Sequence, residues 1–186
     1  MWLQKKYEEE DVARESVEHL IEERVPWLFI GLLGGLLTSV AVAKYESILS
    51  ADIRLAFFIP IIVYLSDAVG TQTETIYVRA LSEGKKISSA RYILKESAVG
   101  FSLGTISGLI LGLVATYWLG SKAIGLTIGL TMLINLTLAP ILAVYIPSLL
   151  YKERSDPALG AGPVATVIQD LLSLMVYFLI ASVVIF

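Results

Sequence analysis

Residues 162–186 read GPVATVIQDLLSLMVYFLIASVVIF. From Val164 to Phe186 there are 23 consecutive positions, and only Asp170 among them bears a formal charge. A helix rises about 1.5 Å per residue, so a stretch of this length suffices to cross a hydrocarbon core of about 30 Å. It is read as a membrane-spanning helix with a carboxylate set inside it. Holding such a group at the bilayer centre costs roughly 2.5–3.5 kcal/mol on insertion scales. Asp170 therefore needs compensation from a proton, a basic side chain, water or a metal ion.

The rest of the chain is of the same kind. Its 186 residues are 56% hydrophobic, and the mean hydropathy of +0.75 is too high for a water-soluble domain. Five helix-length apolar segments follow one another at residues 25–43, 55–77, 98–119, 123–150 and 164–186. Spanning strands would instead alternate over about 10 residues, so the predicted class is all-α, a five-helix polytopic membrane protein. Cysteine is absent, which excludes a disulfide framework, a thiolate metal site and a cysteine nucleophile. Eight of the 17 acidic residues fall within residues 1–24. That segment is expected to form an amphipathic acidic helix on the cytoplasmic side, with Ala13, Val17, Leu20 and Ile21 on one face and Glu8, Glu15, Glu18, Glu22 and Glu23 nearby. A cleavable signal is not expected, because the first apolar run follows acidic rather than basic residues.

Basic residues set the expected orientation. With the N-terminus in the cytoplasm, five crossings place 11 of the 14 Lys and Arg residues inside, leaving Lys44, Arg54 and Lys122 outside. The positive-inside rule thus predicts N-in, C-out, in the cell membrane. Trp27 and Tyr77 are expected at the inner interface, with Tyr117 and Trp118 at the outer one.

Small and polar residues then separate the helix faces. Gly100, Gly104, Gly108 and Gly112 recur every four residues in the third segment and predict a packing seam. Gly31, Gly34 and Gly35, together with Gly125 and Gly129, read the same way. In the second segment Tyr64, Asp67, Thr71 and Glu74 fall on one helical face, and Pro60 and Gly70 are expected to bend or locally open that helix. In the fifth, Thr166, Asp170, Ser173 and Tyr177 form a matching stripe. Thr127, Thr131 and Asn135 make a third polar line in the fourth, with Asn135 suited to an interhelical hydrogen bond or to ligand contact.

These stripes contain no Lys, Arg or His at membrane depth, and His19 lies in the N-terminal segment. Oxygen donors remain, and carboxylates, carbonyls and hydroxyls suit hard divalent cations, above all partly hydrated magnesium. The candidate metal-contacting residues are Asp170, Asp67, Glu74, Thr166 and Asn135. A proton on Asp170 is the competing explanation. No motif pairs a nucleophile with a base, so enzymatic function is not expected.

Two stretches carry a family resemblance. AFFIPIIVYLSDAVGTQT resembles a proline-containing motif ending in Ala-Gly-Thr-Gln, and DPALGAGPVATVIQD resembles an Asp-Pro-Ala start leading to a pore aspartate. Both are features of the membrane domain of the MgtE magnesium transporters and channels, and the resemblance covers residues 25–186. It implies a homodimer whose conducting path for magnesium or another divalent cation is lined by the second and fifth helices. Asp170 matches the family's central metal-binding aspartate, and Glu46 an acidic position near the outer side. One departure is local: Asp67, Ala68 and Val69 replace the family's Gly-Asn-Ala. Another is that 24 residues cannot hold the N-terminal domain and CBS pair common in the family. The expectation is a minimal or trimmed homologue, regulated by a separate cytoplasmic domain or protein.

Two other classes remain open at this level. A proton- or sodium-coupled secondary transporter could use Asp67 and Asp170, with helices broken near Pro60 and Gly162–Pro163. A non-transporting assembly subunit would need the glycine seams but no aligned acidic stripes.

Overall fold

The computed structural model describes residues 16–186, and every regular element among them is helical. In chain order these are α1 (Val17–Ala43), a short α2 (Glu46–Ala51), a 3-10 segment (Ile53–Phe58), α3 (Ile59–Ser82), α4 (Ser89–Leu119), α5 (Lys122–Lys152) and α6 (Pro157–Val184). Five spans are long and apolar enough to cross a membrane, the second of them being Ile53–Ser82, so the all-α, five-span expectation holds. Of the acidic N-terminal helix, residues 1–15 lie outside the described residues. Residues 17–24 run without a break into the first span.

Local chemistry explains the helix ends. Ser16, Ser121 and Asp156 each accept a hydrogen bond from a backbone N–H of the first turn that follows, satisfying donors that have no partner within the helix. Pro157 occupies the first turn of α6, where a missing N–H costs nothing. Gly120 ends α4 at φ 65°, a left-handed conformation that a side chain disfavours. Arg54 donates from Nη1 to the Leu119 carbonyl at 2.9 Å, placing a cation at the C-terminus of α4. The same guanidinium hydrogen-bonds Asp52 and holds its carboxyl below the usual range.

The expected boundaries shift in informative ways. Residues 53–58 turn as a 3-10 segment, and α3 starts at Ile59 with Pro60 in its first turn. Proline is preorganised for that position, so Pro60 begins the helix instead of bending it. Helix α4 starts at Ser89, nine residues before the apolar run, because helical structure continues through polar residues such as Arg91, Lys95 and Glu96. Helix α6 likewise starts at Pro157 and passes through Gly162 and Pro163 uninterrupted.

α5 is the spine. It packs against α4, α6 and α3, and residues from Ile124 to Pro147 are buried along it. Its threonines stay satisfied by donating back one turn, Thr127 to Ala123 O and Thr131 to Thr127 O. The glycine ridge is the α4–α5 interface. A Cβ on Gly104 would lie 3.0 Å from both Cα and O of Leu133, and one on Gly108 would meet the Gly129 carbonyl at 2.5 Å. On the far side of the bundle α1 packs on α6, with Gly31 facing Pro163, Gly34 facing Val167 and the Trp27 ring covering Gly160. Gly35 faces open space and does not belong to that seam.

Tyr117 and Trp118 are exposed, as an aromatic belt requires. Tyr77 is not a belt residue. It is buried, stacked on Tyr92, and bonded through its hydroxyl to Ser89 and Ser148 at 2.8 Å each. Its phenol closes the α3–α4–α5 junction, which a periodicity reading cannot distinguish from an interfacial position.

Because backbone atoms cannot yield as a flexible side chain can, Gly104→Leu should lower stability by about 3 kcal/mol, the upper end for overpacking. Gly35→Ala should be neutral or stabilising by up to about 1 kcal/mol, since only the helix propensity changes. Unfolding midpoints of both variants in detergent test the contrast; equal effects would show that the ridge does not set the α4–α5 approach.

Candidate functional site

Helix α3 has two opposite faces. Ile62, Ser66, Gly70, Thr73 and Tyr77 are buried. Tyr64, Thr71, Gln72 and Thr75 are exposed, an uncommon set for a surface meeting lipid tails. Asp67 and Glu74 lie at the margin between these faces, half-buried, where α6 passes. Thr166 Oγ1 donates to Asp67 Oδ1 at 3.1 Å across that seam. Lower on it, the Glu74 carboxylate lies 3.9 Å from where a Cβ on Gly162 would stand. The expected polar stripe of this helix is therefore real, and its two acids face α6.

The matching stripe on α6 divides. Pro157, Ala161, Ala165, Gln169, Ser173, Tyr177 and Ala181 are all buried, a ridge at a spacing of four. Thr166 and Asp170 lie beside this ridge and stay half-buried, whereas Ser173 and Tyr177 lie on it. Tyr177 donates to the Leu55 carbonyl at 2.8 Å and is part of the core. Its hydroxyl fixes the 3-10 segment to α6.

Between the helices, Asp67, Gly70, Thr71, Glu74, Ala139, Leu142, Ala143, Ala165 and Gln169 enclose a crevice of about 10 Å³, measured by the centre of a water-sized sphere. That is room for one water. Asp67 interacts electrostatically with both Glu74 and Asp170, so the three carboxylates form one acidic line along the seam. Asp170 Oδ1 is buried without a hydrogen-bond partner, and no Lys, Arg or His among the described residues forms an ion pair with these three acids. Within one chain, no three acidic or imidazole side chains among the described residues are grouped closely enough to hold a metal ion.

The remaining candidates lie elsewhere. Asn135, 1% exposed, donates from Nδ2 to the Ser173 carbonyl at 3.2 Å and joins α5 to α6 inside the bundle. Glu46 is exposed on α2, beside a groove lined by Val42, Ala43, Leu49, Ser50 and Ile53, and is not gathered with the seam acids.

Two residues were missed in the sequence. Gln169 is 3% exposed and lines the crevice; its place in the four-residue ridge between Ala165 and Ser173 was the available signal. Glu96 stands just before the apolar run of the third segment, yet its Oε2 accepts from Thr73 Oγ1 at 3.3 Å on the back of α3.

A bundle of membrane-length helices with an acidic, oxygen-only seam is the architecture of a polytopic membrane protein that handles cations. The family model describing the divalent cation transporter MgtE matches residues 59–180. Among curated proteins, the chain is similar to the magnesium transporter MgtE of Enterococcus faecalis, at 36% identity over 162 residues, covering 86% of this chain and 36% of that protein. It is 30% identical to the magnesium transporter MgtE of Bacillus subtilis over 161 residues, covering 86% and 36%. The magnesium transporter MgtE of Thermus thermophilus is 33% identical over 161 residues, with 85% and 35% covered. The chain belongs to the MgtE family of divalent cation transporters, which are membrane proteins and not enzymes. It spans about a third of the length of these relatives.

If the Thr166 hydroxyl holds the Asp67 carboxylate, a double-mutant cycle of Thr166→Val and Asp67→Ala should give a coupling of about 1.5 kcal/mol, as expected for a hydrogen bond to a charged acceptor. Unfolding free energies of the four proteins provide the measurement. Additive effects within 0.3 kcal/mol, roughly the tolerance for independent sites, would dismiss the bond as a stabilising contact.

Proposed function

We propose that this chain forms the ion-conducting part of a homodimer in the cell membrane, carrying magnesium along a path lined by α3 and α6 of both copies. The observation that supports it most is the seam itself. Asp67, Glu74 and Asp170 stand in line without cationic partners, next to an exposed face of hydroxyl and amide side chains on α3. Lipid is a poor neighbour for such a face, and a second copy with a hydrated ion between is a good one. The relatives named as magnesium transporters support Mg2+ as the transported ion, with other divalent cations of similar hydration as competitors.

Asp170 from the two copies holds the ion at mid-membrane. The carboxylates repel each other unless a cation lies between them, and the waters retained by magnesium keep binding weak enough for release. Thr166 positions Asp67, Glu74 guides the ion toward the cytoplasmic side, and Asn135 holds α5 against α6. Glu46 attracts cations outside. The chain runs N-in, C-out, as its basic residues favour. The acidic N-terminal segment, residues 1–24, tunes activity and links to a separate cytoplasmic regulatory domain or protein. Coupled secondary transport through Asp67 and Asp170 is the less favoured alternative, because α6 runs unbroken past Gly162 and Pro163.

Replacing Asp170 with Asn keeps the shape and removes the charge, so magnesium flux into liposomes should fall at least about a hundredfold while folding persists, the pair of charges being the main binding term. Near wild-type flux in Asp170→Asn would eliminate the metal-site role. A cysteine introduced near the outer end of α6, at the exposed Val183, should cross-link copies in native membranes. Recovery of monomer alone from well-expressed protein would reject the dimer.

A further inference from the structure

Gln169 is a buried side chain whose amide is only half satisfied. Its Nε2 donates to Ser173 Oγ at 3.2 Å. Its Oε1 is then left buried and without a partner, while the side chain lines the crevice with Asp67, Thr71 and Glu74. The other walls are Gly70, Ala139, Leu142, Ala143 and Ala165, which offer no polar side-chain group. An acceptor in such a place calls for a donor that arrives from outside the protomer.

The size of the crevice restricts that donor. At about 10 Å³ it takes one water and excludes a whole hydrated ion. The charged and amide groups around it are acceptors: the carboxylates of Asp67 and Glu74 and the Gln169 Oε1. A water bound to a metal ion uses its lone pair on the metal and can only donate, so it matches this lining. The Thr71 hydroxyl, which can donate or accept, also borders the crevice.

We propose that Gln169 is a further cation-recognising residue of the path: with Asp67 it forms, in each protomer, a side position that receives one coordinated water of a passing hydrated divalent cation. This rests on the reading of the α3–α6 seam as the ion path. The position reads the water and not the metal, so it favours a cation that keeps its hydration shell. Magnesium dehydrates reluctantly and holds its waters in a tight octahedron, whereas calcium exchanges them for flexible, longer contacts. Gln169 thereby contributes selectivity for magnesium over calcium, one helical step from the carboxylate that supplies the charge.

The test compares wild type, Gln169→Leu, Gln169→Met and Gln169→Glu in liposomes, with Asp170→Asn alongside. Magnesium half-saturation, maximal flux, the preference for magnesium over calcium and the thermal midpoint are all measured. The two apolar variants should raise half-saturating magnesium about tenfold and erode the preference, with maximal flux changed less, as loss of one hydrogen bond to a polarised water implies. Gln169→Glu restores an acceptor but loses the donor to Ser173, so it should return half-saturation to within about threefold of wild type. Unchanged half-saturation and preference in both apolar variants, while Asp170→Asn is inactive, would leave the path intact and remove Gln169 from it. An equal rise in the apolar and glutamate variants would also overturn the proposal, since it would assign the effect to the Ser173 bond. Wild-type flux unaffected by Asp170→Asn would instead strike the path reading itself.

Discussion

Hydrocarbon offers a carboxylate neither a hydrogen bond nor a counter-ion, and the placement of α3 and α6 follows from where three carboxylates can be tolerated. Both helices rest on α5, so α5 fixes their separation. α5 can do so because it is buried along most of its length and because its threonines are satisfied within their own helix. The glycine ridge brings α4 into backbone contact on the other side, leaving α5 no freedom to shift. The seam between α3 and α6 is thus held from behind, and Asp67, Glu74 and Asp170 are gathered there without any bond among them that would draw them together.

Segment lengths and the glycine ridge were legible in the sequence because hydropathy and small-residue spacing act locally and add up over many positions. Side-chain direction was less legible. Thr166, Asp170, Ser173 and Tyr177 share a face when α6 is treated as an isolated helix of 3.6 residues per turn. Its neighbours touch it along a strict four-residue ridge, which drifts about 40° at each step and winds around the helix. The same stripe is therefore half-buried at Asp170 and fully buried at Tyr177. Gln169 lay on that winding ridge, disguised among small apolar residues. Glu96 was hidden for a different reason: hydropathy marks where apolar residues begin, whereas α4 extends through polar residues to Ser89.

Asp67 illustrates how a departure from a family pattern is accommodated. An additional carboxylate at mid-helix raises the negative potential of the seam, and the structure answers with one hydroxyl, Thr166 Oγ1, rather than with a cation. One neutral donor orients a carboxylate without neutralising it. A lysine or arginine in its place would have neutralised one of the three seam charges and weakened the attraction for a divalent ion. The back of α3 is treated the same way, since Glu96 is met by the Thr73 hydroxyl and Tyr77 by two serines. Hydroxyls fix the helix while leaving the field of the acids in place.

The continuity of α6 bears on how such a seam could work. In transporters that rock between two states, unwound helix segments supply carbonyls that hold the ion and hinges that move it. Here Gly162 and Pro163 are absorbed into an unbroken helix, with Pro163 packed against Gly31 of α1, and Pro60 merely starts α3. Apart from the Leu159 carbonyl, which Pro163 leaves without its helical donor, the unbroken helices keep their carbonyls in their own hydrogen bonds, so in the proposed path discrimination falls to side chains along the seam. Carboxylates recognise charge but separate divalent ions of equal charge poorly. An amide oxygen held in a crevice the size of one water can separate them by hydration, so in the proposed path Gln169 and Asp170 are complementary: one would read the shell and the other the charge.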